Sequence, residues 1–594
     1  MQAVFNSKSI AVLPFLNIGS DENEYFADGI SEEIINALTK IDGLKVTART
    51  SSFFYKNKSL DARHIGNELG VETLLEGSVR IIKERVRITA QLIRTDNGFH
   101  MWSENFDREL TDIFELQDEI SLLIADKIRE NFGHFELQEH LVASATNNIE
   151  AYKLFLKGRS FQLNWRLEDI NTAITYYEES VVIDPLFADA YVGIGWCYGI
   201  LASWQYIDHK DGIAKAAFYL DKGVGLNPTS HVGYFGKATI SFWGNWLYNE
   251  GLSYLEKCLN INPKYTEALE AKSEILTALG KFILAKTTID SALEINPLSP
   301  NHHYTKGNIY YLQGDFDNAI ISLDVSLKID PTFVLAMELK TACYIHQNNY
   351  SSFIRYIEIN KHLERPNLCK KLFDLVNRSN HFENQNIGVA IDVKNENSTH
   401  LPWNFYILIH EDKNSALNTL KHHTELKTGQ FINFSNDPFL APLRQLPNYK
   451  DLVSELFSST VLPSNIEKGK SNNSETPFEG EELNDFATAL ENTMTNSKRF
   501  CNPELSLKQL AYEIDLHPNK LSWLLNNHFG KNFNDFINHY RIKEFQQLAI
   551  LPENKHITLL GLAYDSGFNS KTVFNTFFKK ETGTTPKQWV KANS

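Results

Sequence analysis

Cysteine is scarce in this sequence: five residues in 594, at Cys197, Cys258, Cys343, Cys369 and Cys501. They lie far apart, none forms a Cys-x-x-Cys pair, and their number is odd. Neither a disulfide framework nor a structural zinc is expected, and a reducing cytoplasm fits. Long apolar runs are missing too. The longest, at 190–204, is too short to span a bilayer. The opening residues MQAVFNSKSIAVLPF lack a basic region leading into a long apolar stretch, so no secretory leader is expected. The sequence reads as a soluble protein with no membrane partner.

Catalytic signatures are also lacking. There is no G-x-x-x-x-G-K-[ST] loop, no G-x-S-x-G elbow and no H-E-x-x-H pair. The adjacent pairs His302-His303 and His422-His423 diverge on a helix, so no metal site is expected. Asp21, Glu22, Glu24, Asp28, Glu32 and Glu33 gather at the start of the first predicted helix. The positive end of the helix dipole favours carboxylates there without any catalytic role. We expect no catalytic residue, no metal, no cofactor and no enzyme.

Positive charge is in the minority, with 58 Lys and Arg against 73 Asp and Glu, but it is unevenly spread. Residues 499–594 hold 12 Lys and Arg and 8 Asp and Glu, a net +4 within a total of -15, which leaves -19 on residues 1–498. A mildly basic end on an acidic body points to a polyanionic partner at the C-terminus.

What is present first is a repeat. Asn-Pro or Asp-Pro pairs recur at 184–185, 227–228, 262–263, 296–297 and 330–331, with proline spacings of 43, 35, 34 and 34. A period near 34 marks stacked helix-turn-helix units, each proline blocking continuation of the helix before it. Gly307, Tyr310, Gly314 and Ala319 hold matching places to Gly280, Ala285 and Ala292 in the preceding unit, while Ala173 and Tyr177 fit more loosely. The 43-residue interval predicts an insertion near WQYIDHKDG. These residues resemble the tetratricopeptide repeat over 148–350, with a helical extension over 351–458 that closes on NDPFLAPLRQLPNYKDLVSELF. The resemblance implies a curved all-α solenoid whose concave face holds a peptide or protein partner, or serves as a spacer or homodimer surface. Trp196, Trp204, Trp243 and Trp246 fall in this region as pocket lining or as core.

Before the repeats, KSIAVLPFLNI reads as a buried strand and the following helix puts Ile30, Ile34, Ile35 and Leu38 on one face. Residues 71–110 alternate as half-buried strands and 111–132 form a closing amphipathic helix, giving an α/β domain over 8–133. AVLPF, EYFADGISEEI, ARTSSF, LGVETLLEGSVR, VRITAQLI and DIFELQDEI resemble the TolB-like domain. In bacterial regulators and some adenylate cyclases that domain precedes tetratricopeptide repeats; no segment here resembles a cyclase domain.

After a polar linker at 459–483, the helices return. In GLAYDSGFNSKTVFNTFFKKETGTTPKQW, Thr558 is placed to cap a helix carrying Ala563, and Gly567 four residues later suits a sharp turn. Val573, ten after the alanine, is expected to pack back into the crossing. Ala511, Asp515 and Leu521 repeat the spacing, and 533–551 reads as one connecting helix. Leu510, Ala511, Leu521, Phe529-Gly530, Phe536, Arg541, Ile557, Ala563, Gly567-Phe568, Phe574, Phe578-Lys579-Lys580, Gly583 and Thr585-Pro586 together resemble the AraC/XylS DNA-binding domain over 484–594. The resemblance implies two all-α helix-turn-helix units whose second helices enter successive major grooves of double-stranded DNA. By position, Asn519, Lys520, Ser522 and Trp523 would face the first groove, and Lys571, Thr572, Asn575 and Thr576 the second. Lys531, Lys579, Lys580 and Lys587 would contact phosphates. Trp523 and Thr576 stand where the family often has Arg, and Asn526-Asn527 where it usually has a basic pair; fewer cations imply weaker binding by a monomer and a need for dimerisation, as a homodimer, or for two half-sites, and a partly buried Trp523 would drop out of the readout.

The expected architecture is multidomain: an N-terminal α/β domain, a central all-α repeat solenoid and a C-terminal all-α tandem helix-turn-helix domain. The expected function is a cytoplasmic bacterial transcriptional regulator, with the first two domains sensing a signal or binding partners and a carbohydrate-catabolism operon as the hinted target. The alternative is a repeat scaffold with residual DNA affinity.

Overall fold

Alternation of apolar and polar residues over 73–109 folds into a three-stranded antiparallel ribbon, and the short apolar run before it adds parallel strands alongside. The strands are β1 (Ser9–Val12), β2 (Leu16–Asn17), β3 (Lys45–Val46), β4 (Thr73–Ile82), β5 (Arg85–Arg94) and β6 (His100–Glu109), in the order β3-β1-β4-β5-β6, with β2 beside β4. The computed structural model describes residues 8–41, 43–132, 140–142, 145–360, 365–379, 381–382, 401–457, 482–503, 505, 507–516, 518–531, 533–569 and 571–593. They fall into two compact units, Met1–Gly469 and Lys470–Ser594.

In the first unit, β1 is buried on both faces, as parallel strands are. The register Val79↔Ile88↔Phe106 lays one apolar face of the ribbon against helices Glu24–Thr39 and Ile113–Phe132. On the outer face Arg85 and Arg87 share Asp107 at 2.7 and 2.6 Å. Ile30, Ile34, Ile35 and Leu38 are buried, as the periodicity predicts.

Six helix pairs follow: Ile149–Gln162 with Leu167–Ile183, Ala188–Ser203 with His209–Leu226, His231–Thr239 with Tyr248–Ile261, Thr266–Ala278 with Phe282–Ile295, Pro300–Leu312 with Phe316–Ile329, and Val334–His346 with Tyr350–Ile359. The last pair continues the hairpin pattern past the expected boundary at 350. Helices Pro366–Asn377, Trp403–Glu411, Lys413–Glu425 and Pro447–Leu456 extend the same core.

The unequal spacings have separate causes. The 43-residue interval is not one insertion at the elbow. Against the Thr266–Ile295 pair, its first helix is 16 residues rather than 13 and its second 18 rather than 14, with the rest in a longer elbow. The single extra residue of the 35-residue interval is taken up by a π-turn at Ile240–Gly244, the usual way a helix absorbs one residue.

Asp184, Asn227, Asn262 and Asp330 close their turns alike: each Oδ1 accepts the N–H two residues on, at 2.9–3.1 Å. Asn296 is the exception. Its Oδ1 takes the Ser51 hydroxyl at 2.5 Å and the Ser51 N–H at 3.1 Å, while Ser51 Oγ accepts the Leu298 N–H at 2.8 Å. A serine of the N-terminal domain thus stands in the turn of the fourth pair. Other contacts fix the same junction. Lys264 Nζ donates to the carbonyls of Ile41 and Leu44, and the Ala48 N–H donates to Ile295 O. Glu32 sits between Arg49 at 3.0 Å and Arg159 at 2.9 Å. Gly29 lets its helix meet Leu156 so closely that a Cβ would lie 2.8 Å from Leu156 Cδ2. One buried cluster runs from Ile30 and Ile34 through Leu156 to Tyr177 and Cys197.

Ser51→Ala removes the hydroxyl and leaves the Leu298 N–H without its acceptor. We expect a loss of about 1–3 kcal/mol, read as a lower urea midpoint for unfolding of the first unit; an unchanged midpoint would refute the bridging role. Burial, with repulsion from Glu32 and Asp189 against attraction from Lys40 and Arg159, pushes the Glu33 carboxyl up to about 7. A raised carboxyl favours the protonated fold, so its stabilisation is complete below the unfolded value near 4.5 and is lost as pH rises through about 7. Urea midpoints of the Glu33→Gln variant should decline less than wild type between pH 5 and 8.

Candidate nucleic-acid interface

The second unit has helices Glu482–Ser497, Leu507–Glu513, Pro518–Asn527, Phe533–Ile550, Leu559–Asp565, Lys571–Thr582 and Pro586–Asn593. Two short hairpins, 507–527 and 559–582, sit on the long connecting helix Phe533–Ile550. Each has its own core: Leu510, Ala511, Leu521, Leu524 and Leu525 in the first, Leu562, Ala563, Phe574 and Phe578 in the second.

Both elbows close by the same hydrogen bonds. The Asp515 N–H donates to Tyr512 O and the Leu516 N–H to Ala511 O, at 3.2 and 2.9 Å; Gly567 donates to Tyr564 O and Phe568 to Ala563 O, at 2.9 and 3.1 Å. This six-to-one closure puts the residue four after the alanine in positive φ, +51° at Asp515 and +97° at Gly567. Thr558 caps its helix by accepting the Gly561 N–H at 3.1 Å, as expected.

One expectation fails. Leu521 is buried, but Val573, its counterpart ten residues after the alanine, is 46% exposed. The second of the two outer helices starts eight residues after its alanine, not seven as in the first hairpin. Its inward residues are therefore Phe574, Phe577 and Phe578, matching Leu521, Leu524 and Leu525. The shift puts Val573 on the outer face at the place of Lys520. The same comparison pairs Tyr512 with Tyr564, 68% and 48% exposed, on the preceding helices. Sequence spacing misplaced Val573 because it assumed one phase for both outer helices, and it singled out neither tyrosine.

Lys571, Asn575, Thr576, Lys579, Lys580 and Lys587 are exposed. Lys520 and Trp523 are half-buried, Trp523 resting against the first core. Asn519 and Ser522 lie on Pro518–Asn527 and Thr572 on Lys571–Thr582, but their side chains lie outside the described residues. Of the candidate DNA-facing lysines, two are ion-paired among the described residues, Lys580 with Asp535 at 3.2 Å and Lys520 with Glu482 at 3.6 Å. Among the described residues Lys571, Lys579 and Lys587 meet no carboxylate, and Lys531 is half-buried beside Gly530, which has φ +64°.

The hairpins are tied through the segment between the first helix and Leu507. Arg541 of the connecting helix, a buried guanidinium, donates to the carbonyls of Phe500 at 2.7 Å and Asn502 at 2.9 Å. Gly567 comes against the same segment: a Cβ there would stand 2.3 Å from Phe500 O. Lys498 pairs with Glu544 at 2.7 Å, and Arg499 pairs with Glu513.

Residues 510–592 match the family model described as "Helix-turn-helix domain". Residues 6–123 match "HilA/YgeH-like transcriptional regulator, second domain", and 303–333 match "Tetratricopeptide repeat". The C-terminal unit is a helix-turn-helix domain of the AraC type, and the matches support a transcriptional regulator. Among curated relatives, "Putative adenylate cyclase 3" of Rhizobium meliloti (strain 1021) is 40% identical over 205 residues, 34% of this chain and 34% of the relative. The match thus takes in about a third of that relative's length. Similar solved structures include a pilus biogenesis factor, PilW (16% identity, 36% of this chain and 92% of that one, TM-score 0.30). A tetratricopeptide-repeat protein of Thermus thermophilus (15%, 33% and 98%, 0.28) and a human IFIT1 dimer with m7Gppp-AAAA (15%, 57% and 75%, 0.33) are others.

Gly567→Ala meets both an unfavourable φ and the Phe500 carbonyl. The φ alone costs about 1–3 kcal/mol, so calorimetry of the full chain should show the transition of the second unit at markedly lower temperature. An unmoved transition would mean that the elbow tolerates a side chain.

Proposed function

We propose that the chain is a transcriptional regulator that reads double-stranded DNA with its C-terminal unit and responds through its N-terminal and repeat domains. The observation that carries this reading is the pair of elbows closed by the same hydrogen bonds, the second of which presents an outer helix with exposed Lys571, Asn575 and Thr576. Lys571, Asn575 and Thr576 are suited to base edges, and Val573 to a thymine methyl. Asn519, Lys520, Ser522 and Trp523 take the corresponding places on the first hairpin. Lys531, Lys579, Lys580 and Lys587 would meet phosphates, which set affinity and position but carry no sequence information. Arg541 and the close approach at Gly567 tie the hairpins together, as simultaneous docking in successive grooves requires.

The finer parts of the reading come from resemblance. A TolB-like sensor domain, a cytoplasmic location, a homodimer and a carbohydrate-catabolism operon fit what the AraC/XylS and TolB-like resemblances imply. A scaffold reading is favoured by one observation: Lys520 and Lys580 are already ion-paired and Trp523 is half-buried, which thins the basic face.

Selection of random duplex DNA by the full chain separates these readings. A regulator should enrich two elements about one helical turn, ~34 Å, apart. The double variant Lys571→Ala, Asn575→Ala should lose the second element and keep the first. Absence of any enriched sequence would favour the scaffold.

A further inference from the structure

The concave side of the repeat array is not open along its whole length. Helix Glu24–Thr39 and residues 49–54 of the N-terminal domain roof part of it. They border, with the first helices of all six pairs, a chamber of about 2290 Å³. Pockets for small molecules run to about 300–1,000 Å³, so this volume suits an extended chain better than a metabolite.

The lining has a one-sided charge balance. Its lysines and arginines are Lys40, Arg49, Arg159, Arg166 and Lys264. Each is held by the chain itself: Lys40 by Leu141 O, Arg49 and Arg159 by Glu32, Arg166 by Asp169, and Lys264 by Ile41 O and Leu44 O. Among the carboxylates that line it, Glu33, Asp189, Glu267 and Glu274 make no ion-pair contact among the described residues, although Lys40 and Arg159 attract Glu33 from farther off. Glu267, Glu270 and Glu274 recur at helical spacing along the inner face of Thr266–Ala278. Glu270 is engaged by His302 at 3.2 Å and Thr305 at 2.9 Å; Glu274 accepts a hydrogen bond from Trp243, with Tyr304 beside it. Burial and the neighbouring Glu270 push the Glu274 carboxyl up, and burial does the same to Asp189. Aromatic faces near carboxylates that lack a counter-ion are a setting for a cation.

We propose that this chamber receives an extended cationic segment, a Lys- or Arg-bearing stretch of a partner protein, along the carboxylate row of helix Thr266–Ala278. The proposal rests on reading the repeats as a partner-holding module. It names the chemistry of that partner from the charge of the site. An arriving ammonium or guanidinium would favour the ionised form of Glu274 and Glu33, so binding near neutral pH would release protons.

The test is isothermal titration of the full chain at pH 7 with an end-blocked peptide alternating Lys and Ala, and with its Glu counterpart. The Lys peptide should bind, the Glu peptide should not, and titrations in two buffers of different ionisation enthalpy should report net proton release. The double variant Glu270→Gln, Glu274→Gln should weaken binding about tenfold or more. A control variant on the outer helix, Glu168→Gln with Glu179→Gln, should leave it unchanged. Equal weakening by the inner and outer variants would mean surface attraction alone and would overturn the proposal, as would failure of the Lys peptide to bind. The proton count needs only wild type, so an unstable inner variant leaves the test intact; absence of proton release would also count against the chamber. DNA selection by the same preparation reads the regulator proposal separately.

Discussion

The six repeat pairs and the two C-terminal hairpins must each stop one helix and start the next within a few residues, and one backbone state does most of that work. In all six repeat pairs the elbow holds a residue of positive φ: Trp165, Gln205, Trp246, Gly280, Gly314 and Asn348. Asp515 and Gly567 do the same in the two hairpins of the C-terminal unit. The helices they join are 7 to 18 residues long, mostly too short to persist alone in water. Each gains its stability by packing against its neighbour, and the left-handed elbow is what brings the neighbour back. Non-glycine residues pay about 1–2 kcal/mol for that state, which packing along the shared core offsets.

This constraint also explains which parts could be read in advance. Gly280, Gly314 and Gly567 mark their elbows openly, because glycine is the residue that positive φ selects. Trp165, Gln205 and Trp246 give no such signal, although their elbows use the same positive φ. The Asn-Pro and Asp-Pro turns fixed the period, yet spacing alone could not tell a π-turn from a loop insertion, since both lengthen the interval. In the C-terminal unit the left-handed position was legible at Asp515 as well as Gly567. The phase of the following helix was not: one extra residue after the elbow turns Val573 outward and Phe574 inward. Of the four tryptophans left open between pocket and core, Trp196, Trp204 and Trp243 line the chamber, while Trp246 is buried.

The least legible feature was the union of the first domain with the array. Sequence divides them after the closing amphipathic helix, at residue 133, and each looks able to bury its own apolar face. Their joint depends on groups that carry no pattern: a glycine that admits Leu156, a serine that enters a neighbour's turn, a lysine that finds two carbonyls. Such contacts couple residues more than 100 positions apart, 245 for Ser51 and Asn296, and local periodicity contains no information about them.

That joint changes what kind of object the repeat array is. A solenoid in which each unit touches only its neighbours behaves as a spring, and its curvature is a soft coordinate. Here the N-terminal domain grips the array at Leu156 and Arg159 in the first pair and again at Lys264 and Asn296, which flank the fourth. It spans the arc as a string spans a bow. The intervening units cannot straighten without breaking one of those grips, so their elasticity is set by the brace, and any force on the array is felt by the sheet.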